Sequence, residues 1–573
     1  MARRTAYAWL LLSVLALSPC NLPAQDPVGY ERLLNSASEP HNWLMYGGDY
    51  SSHRYSRLTQ MTPVNVKNLD LAWVYQSSAA GSWQATPLVV DGIMYVTQRP
   101  NDVVALDAAT GRVFWIYSYN NSPDLVVCCG SNNRGLAILG DKLYMGTLDA
   151  HLVAIDSRSG QALWKTKVAE SGAGYSLTVA PLAVKDRIIV GVGGGEYGIR
   201  GFMAAYHAET GEELWKFHAI PGPGEPGHET WEECPPDQET YCDPEAWKHG
   251  GGSVWVTGSF DPELNLNYWG IGNVGPDYTA DQRPGDNLYT ASVIALDTDT
   301  GKLRWHYQFT PRDVYDYDSV QVPVLADITW EGAPRKVMLF ANRNGNYYVL
   351  DRATGEFLLG KPFVKVNWMS GFDEKGRPIQ TPQGPDRPTY PAVQGGTNWY
   401  SPSYSPRTGL LYLSTWHDQA QYFRGVPVVY QQGRGFTGSN NARFVPSVDD
   451  PAQPIPGAPS LPSLRRGPIN DWTDVAGYGK VMAMMPAAGE PKWEHRMTDV
   501  TDTGIVTTAA DLLFTGNREG YLQAMNALTG ELLWKTNLGA QMLNNPITYA
   551  VNGRQYVASM AGLSLFVFAL PEE

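Results

Sequence analysis

The sequence predicts an all-β protein, one eight-bladed β-propeller with tryptophan-docking repeats. Three observations carry that prediction. The chain has 573 residues, so it is either several domains or one architecture that grows by adding units. Its 58 Gly and 41 Pro, in a chain that is 43% hydrophobic, point to many turns and short strands around a large core. One pattern also recurs from end to end: an alternating strand, a turn of the form Asp-x-x-Thr-Gly, and a strand closing on Trp.

The strong copies are ALDAATGRVFW (Ala105 to Trp115), AIDSRSGQALW (Ala154 to Trp164), AYHAETGEELW (Ala205 to Trp215), ALDTDTGKLRW (Ala295 to Trp305) and AMNALTGELLW (Ala524 to Trp534). Weaker copies are VLDRATGEFLL (Val349 to Leu359), SYSPRTGLLYL (Ser403 to Leu413) and MMPAAGEPKW (Met484 to Trp493). In each, Gly supplies a positive φ and Asp or Thr bonds the turn backbone. Gly111, Gly160 and Gly211 lie about fifty residues apart, the length of one four-stranded blade with its connections. Such regular placement assigns the tryptophans to packing between blades rather than to ligand binding. Extra material enters between Gly211 and Gly301 and between Gly409 and Gly489. The second insertion includes the Pro, Gly and Ser-rich segment from Arg434 to Gly467, expected as a long surface loop.

At the N-terminus, two arginines, an apolar run from Ala6 to Leu17 and then small and polar residues form the pattern of a secretory signal peptide. The expected division is a signal peptide over 1–24 and one propeller domain over 25–573. A lipidated Cys20 is the competing reading, although Pro19 stands where a lipobox carries a small residue. No later segment approaches the roughly 20 apolar residues of a membrane span. The net charge of −14, with no basic stretch, argues against a nucleic-acid partner.

The cysteines are Cys20, Cys128, Cys129, Cys234 and Cys242. Removal of Cys20 with the signal leaves an even number, suited to disulfides in an oxidising compartment. Cys128 and Cys129 are adjacent; they either close a strained eight-membered ring or are two buried thiols. Cys234 and Cys242 flank an acidic loop and suit a structural disulfide. C-x-x-C-H is absent, which excludes a c-type haem attached to this sequence.

Four strings stand outside the repeats: CCGSNNRG (Cys128 to Gly135), GGGEYGIRG (Gly193 to Gly201), YWGIGN (Tyr268 to Asn273) and TPRDVYDYDS (Thr310 to Ser319). If the last is a strand, Asp316 and Asp318 face one side and Asp313 the other. Two carboxylates aimed into one pocket repel each other unless a cation lies between them. Together with the Trp-ended repeats, these strings resemble the quinoprotein alcohol dehydrogenases over nearly the whole mature chain.

The resemblance implies pyrroloquinoline quinone (PQQ) on a metal ion, with Cys128 and Cys129 as a vicinal disulfide over one face of the quinone. Trp255 then stacks under the other face. Arg134 and Thr178 would hold cofactor carboxylates, Ser253 would give a hydroxyl, Arg343 would reach a quinone oxygen and Asn398 the ring's rim. Gly194, Gly195 and Gln84 also belong to the implied cofactor site; Gln84 stands where many relatives carry Glu. The implied metal ligands are Glu196, Asn273, Asp316 and Asp318, with Asp316 also the catalytic base. Calcium serves the older branch of the family, whereas an additional Asp two residues after the catalytic one resembles the lanthanide-using branch. An extra negative charge favours a trivalent ion, so a lanthanide is expected over calcium.

The implied reaction is oxidation of a primary alcohol to an aldehyde by hydride transfer to PQQ, in the periplasm. A soluble cytochrome c would accept the electrons, and a homodimer is compatible with the family. TDTGIVTT (Thr501 to Thr508) lacks a Trp found in methanol-oxidising relatives, which weakens methanol as the substrate. The rival readings are a PQQ-dependent sugar or polyol dehydrogenase and a non-catalytic propeller scaffold of the outer-membrane assembly type.

Overall fold

In a computed structural model, the described residues are 26–79, 81, 83–232, 243–444 and 477–572. The signal peptide, Cys20, Cys234, Cys242 and most of the expected surface loop lie outside them.

Eight antiparallel blades follow one another along the chain, seven of four strands and the seventh in order extended by the short strand Tyr55–Ser56, which pairs in parallel with Val506–Thr508. The first blade is Leu88–Val90, Ile93–Gln98, Asp102–Asp107 and Val113–Tyr117. The eighth takes three strands from the C-terminus, Ile547–Val551, Arg554–Ala561 and Ser564–Ala569, and its outermost strand, Asp70–Gln76, from the N-terminal part. That exchange closes the ring between the two ends of the chain. Among the described residues no helix is long and apolar enough to cross a membrane.

The repeat turn joins the third and fourth strands of a blade. In the first, Asp107 Oδ1 accepts the N–H groups of Ala109 and Thr110 at 2.9 and 3.1 Å, and Gly111 takes a φ of 74°. The closing Trp docks on the next blade. Trp115 Nε1 donates to the Ser157 carbonyl at 3.2 Å, and its ring lies 2.6 Å from where a Cβ on Gly160 would stand. The same pairing joins Trp164 to Gly211, Trp215 to Gly301, Trp305 to Gly355 and Trp493 to Gly530. Gly is therefore needed twice over, for its φ and for its missing side chain. Trp73, on the strand supplied from the N-terminal part, meets Gly111 in the same way and carries the docking across the closure.

One repeat differs from expectation. The Ser403 to Leu413 copy joins the first and second strands of the sixth blade, Ser403–Ser405 and Leu410–His417. The equivalent turn of that blade is the degenerate one between Tyr478–Met485 and Glu490–Arg496.

In an antiparallel blade the entry to the first strand and the exit of the second lie at the same end. Gln84, Cys128 to Arg134, Thr178, Trp255, Asp316 with Asp318, and Asn398 all precede first strands of successive blades. Glu196, Asn273 and Arg343 all follow second strands. The candidate residues, scattered over more than half the chain, therefore gather at one rim of the ring.

Candidate functional site

That rim surrounds a cavity of about 300 Å³. Its lining includes Gln84, Cys128, Cys129, Arg134, Thr178, Gly194, Glu196, Trp255, Asp316, Asp318, Arg343 and Asn398, all expected from sequence. Gly195, Ser253 and Asn273 stand one layer behind. Ser253 Oγ and Asn273 Oδ1 pack at 3.3 and 3.5 Å from the position a Cβ on Gly195 would take. Cys128 and Cys129 form a disulfide, with Cys129 at a φ of 63°. Cys129 Sγ lies 3.8 Å from Glu196 Oε1, so the disulfide and the acidic wall meet directly.

The glycine loop brings Glu196 to the wall by a single 3-10 turn, Gly195–Tyr197, entered through Gly194 at a φ of 116°. A side chain on Gly194 would collide with the Gly174 carbonyl, so the close approach of these two backbones requires Gly there.

Asp316 and Asp318 share the cavity, but not by strand alternation. Residues 311–323 form no strand, and Asp316 adopts a left-handed φ of 58°. Asp313 sets the shape of this loop. Fully buried, its carboxylate accepts the N–H of Tyr315 at 3.0 Å and of Tyr317 at 2.8 Å, flanking Asp316 from beneath.

Arg343 ties the two pocket carboxylates together. Nη1 donates to Asp318 Oδ2 at 2.5 Å, Nη2 lies 3.4 Å from Asp316 Oδ2, and Nε donates to the Val393 carbonyl at 2.6 Å. Asp318 Oδ1 accepts the Asn273 N–H at 2.9 Å. Burial pushes the Glu196 carboxyl up to about 7, with Asp318 adding repulsion. Burial also drives Asp316 well above the carboxylate range, with Asp318 and Glu196 opposing its charge and Arg343 only partly compensating. Asp277, buried and with Oδ1 lacking a partner among the described residues, is driven up by burial and by Asp316.

The donor set fits a hard cation: three carboxylates, and an amide one layer back, crowd a region where their charges oppose one another. The carboxylates of Glu196, Asp316 and Asp318 do not come within 4.8 Å of one another as a trio. Arg343 bridges two of them instead.

The opposite wall fits an anionic, planar ligand. Arg134 is 5% exposed, its Nε has no partner among the described residues, and its Nη1 meets only the Thr178 and Trp255 carbonyls at 3.4 Å. Burial lowers its pKa to about 10, with Tyr46 and Asp318 only partly opposing the shift. Its guanidinium lies between two indoles, 4.5 Å from the Trp255 ring centre and 5.2 Å from that of Trp399. Gln84 Oε1 is likewise buried without a partner.

Sequence reasoning missed Asn132, Ser176, Tyr278, Gln394 and Trp399, which also line the cavity. Tyr278 and Trp399 were legible in principle: each lies within five residues of a residue already singled out, on the same loop.

Residues 43–380 and 463–557 match the PQQ family described as glucose/ethanol/alcohol dehydrogenase, beta-propeller domain. A quinohemoprotein alcohol dehydrogenase of Comamonas testosteroni is 37% identical, covering 97% of this chain and 78% of the relative. A lanthanide-dependent methanol dehydrogenase of Methylacidiphilum fumariolicum is 35% identical, covering 93% of this chain and 86% of the relative. Among solved structures, a europium-containing methanol dehydrogenase superposes with a TM-score of 0.83 at 32% identity, covering 94% of this chain and all of that one.

Proposed function

The chain belongs to the PQQ-dependent alcohol dehydrogenases, and from that membership we propose that it oxidises a small primary alcohol to an aldehyde with Asp316 as the general base. The observation that carries this role is the placement of Asp316: a carboxylate held at a positive φ on the cavity wall, beside Arg343 and Glu196. A base needs an ionised carboxylate within reach of the alcohol hydroxyl; Arg343 opposes the burial that raises Asp316, and a bound cation would favour the ionised form further. PQQ supplies the hydride acceptor when bound, and the metal ion supplies Lewis acidity.

Arg134, Thr178 and Gln84 are the groups proposed to hold the cofactor's carboxylates, with Ser253 and Asn398 as further polar partners. Trp255 and the Cys128–Cys129 disulfide are its flat surfaces, and Gly194 and Gly195 permit close backbone approach. Glu196, Asn273, Asp316 and Asp318 are the proposed metal ligands. Three carboxylates favour a trivalent ion over a divalent one, which supports a lanthanide over calcium. The lanthanide-dependent and europium-containing relatives support the same choice.

The signal-like N-terminal sequence supports the periplasm. The electron acceptor is proposed as a soluble cytochrome c; one relative is named 1-butanol dehydrogenase (cytochrome c). The net charge of −14 suits a basic partner, with association weakened by salt.

The test is Asp316→Asn in a dye-coupled assay after reconstitution with PQQ and metal. Turnover is expected to fall at least about a hundredfold with cofactor still bound; retained turnover would overturn the assignment.

A further inference from the structure

Tyr278 donates its hydroxyl to Asp316 Oδ2 at 3.0 Å. We propose that Tyr278 is a positioning residue for the alcohol oxidation, committing Oδ2 of Asp316 so that Oδ1 is the oxygen presented to the substrate hydroxyl. The inference rests on Asp316 being the base.

The relative position of the two side chains is built into the fold. Arg283, fully buried, donates from Nη2 to the Pro276 carbonyl at 2.7 Å and to the Asp313 carbonyl at 2.8 Å. It thereby ties the loop bearing Tyr278 to the loop bearing Asp316. A second tie is aromatic. Phe423 stacks on Tyr278 with ring centres 6.0 Å apart, and its edge contacts reach Tyr315 at 5.2 Å and Tyr317 at 6.3 Å, the two residues flanking Asp316. The backbone of Tyr278 is pinned as well, its N–H donating to the Thr437 carbonyl at 3.1 Å.

On Asp316 itself the donors are one-sided. Tyr278 and Arg343 both approach Oδ2, whereas no donor among the described residues is placed on Oδ1. Of the two, Tyr278 makes the shorter contact, while Arg343 is committed more closely to Asp318 and Val393. When an alcohol gives its proton to Oδ1, the carboxyl group cannot rotate away without breaking the Tyr278 bond. A misplacement of about 1 Å at a reacting group can cost on the order of a hundredfold in rate, which is the scale available to such a tether.

Tyr278→Phe removes the hydroxyl and keeps the ring on Phe423. Wild type, Tyr278→Phe and Asp316→Asn are compared after reconstitution with PQQ and metal, each normalised to bound PQQ by absorbance and to metal content. For Tyr278→Phe the expected result is a kcat lower by about tenfold or more, with KM changed less than about threefold. The primary deuterium isotope effect on kcat, measured with the carbon-deuterated alcohol, should rise because the C–H step becomes more limiting; a mere loss of active protein would leave it unchanged. Wild-type kcat and isotope effect in Tyr278→Phe, or a fall in kcat matched by lost PQQ or metal, would overturn the role of Tyr278. Turnover retained by Asp316→Asn would overturn the base assignment beneath it, so the two failures are distinguishable.

Discussion

Arg343 Nη1 donates to Asp318 Oδ2 at 2.5 Å, both side chains being less than 10% exposed. The charge that distinguishes the trivalent-ion reading is thus already engaged by a guanidinium, and its second role has to be tested against this one. Asp318→Ala should lower affinity for a light lanthanide by about tenfold or more while affecting calcium less, because the Coulomb loss scales with ion charge. Europium luminescence titration of the reconstituted protein, with calcium as competitor, measures both affinities. Equal losses for both ions would make Asp318 only the partner of Arg343.

Arg134 carries a buried charge that no carboxylate among the described residues hydrogen-bonds. Arg134→Gln should weaken PQQ binding by about tenfold to a hundredfold, as expected for one charge-assisted hydrogen bond. Fluorescence quenching by titrated PQQ gives the constant. The variant should fold at least as stably as wild type without cofactor, since an uncompensated buried cation is removed.

The scaffold prediction concerns Gly160. An added methyl group meets the Trp115 ring and is forced to a φ of 71°. Gly160→Ala should cost about 1–3 kcal/mol of stability, and Trp115→Ala should relieve part of that cost when combined with it. Thermal unfolding of the single and double variants checks the coupling.

His417, outside the cavity lining, supplies a pH dependence of stability. It is 7% exposed, stacked on Tyr478, with Nε2 2.9 Å from Thr415 Oγ1, and burial lowers its pKa to about 3. The unfolded chain therefore takes up a proton near the ordinary value of 6.5 while the folded chain does not. Stability from this group is full above that value and falls as pH drops below it, on the order of 1 kcal/mol per pH unit. Melting temperatures at pH 7.5 and 5 should separate more in wild type than in His417→Gln.

The propeller was legible because its repeat combines turn chemistry with a docking Trp, and both survive in single-sequence form. Trp73 escaped notice because the eighth blade has no Asp-x-x-Thr-Gly turn before it; its outer strand comes from the other end of the chain. The pocket residues were legible as strings, but the reason given for the pairing of Asp316 with Asp318 was wrong. A buried Asp313 and a left-handed Asp316, rather than a strand period, bring them to one side. Tyr278 was not seen because the YWGIGN string stopped at Asn273, whereas the chain turns back to the cavity five residues later. Periodicity cannot report such a return, which is set by Arg283 from the far side of the loop.

The most direct test of the proposed chemistry is reconstitution of the purified, metal-free protein with PQQ and either calcium or a light lanthanide. Bound quinone is followed by absorbance and turnover by dye reduction across a series of primary alcohols. The expected result is stoichiometric PQQ, with turnover of small primary alcohols higher with the lanthanide than with calcium. PQQ bound with no alcohol oxidised under either ion would contradict it.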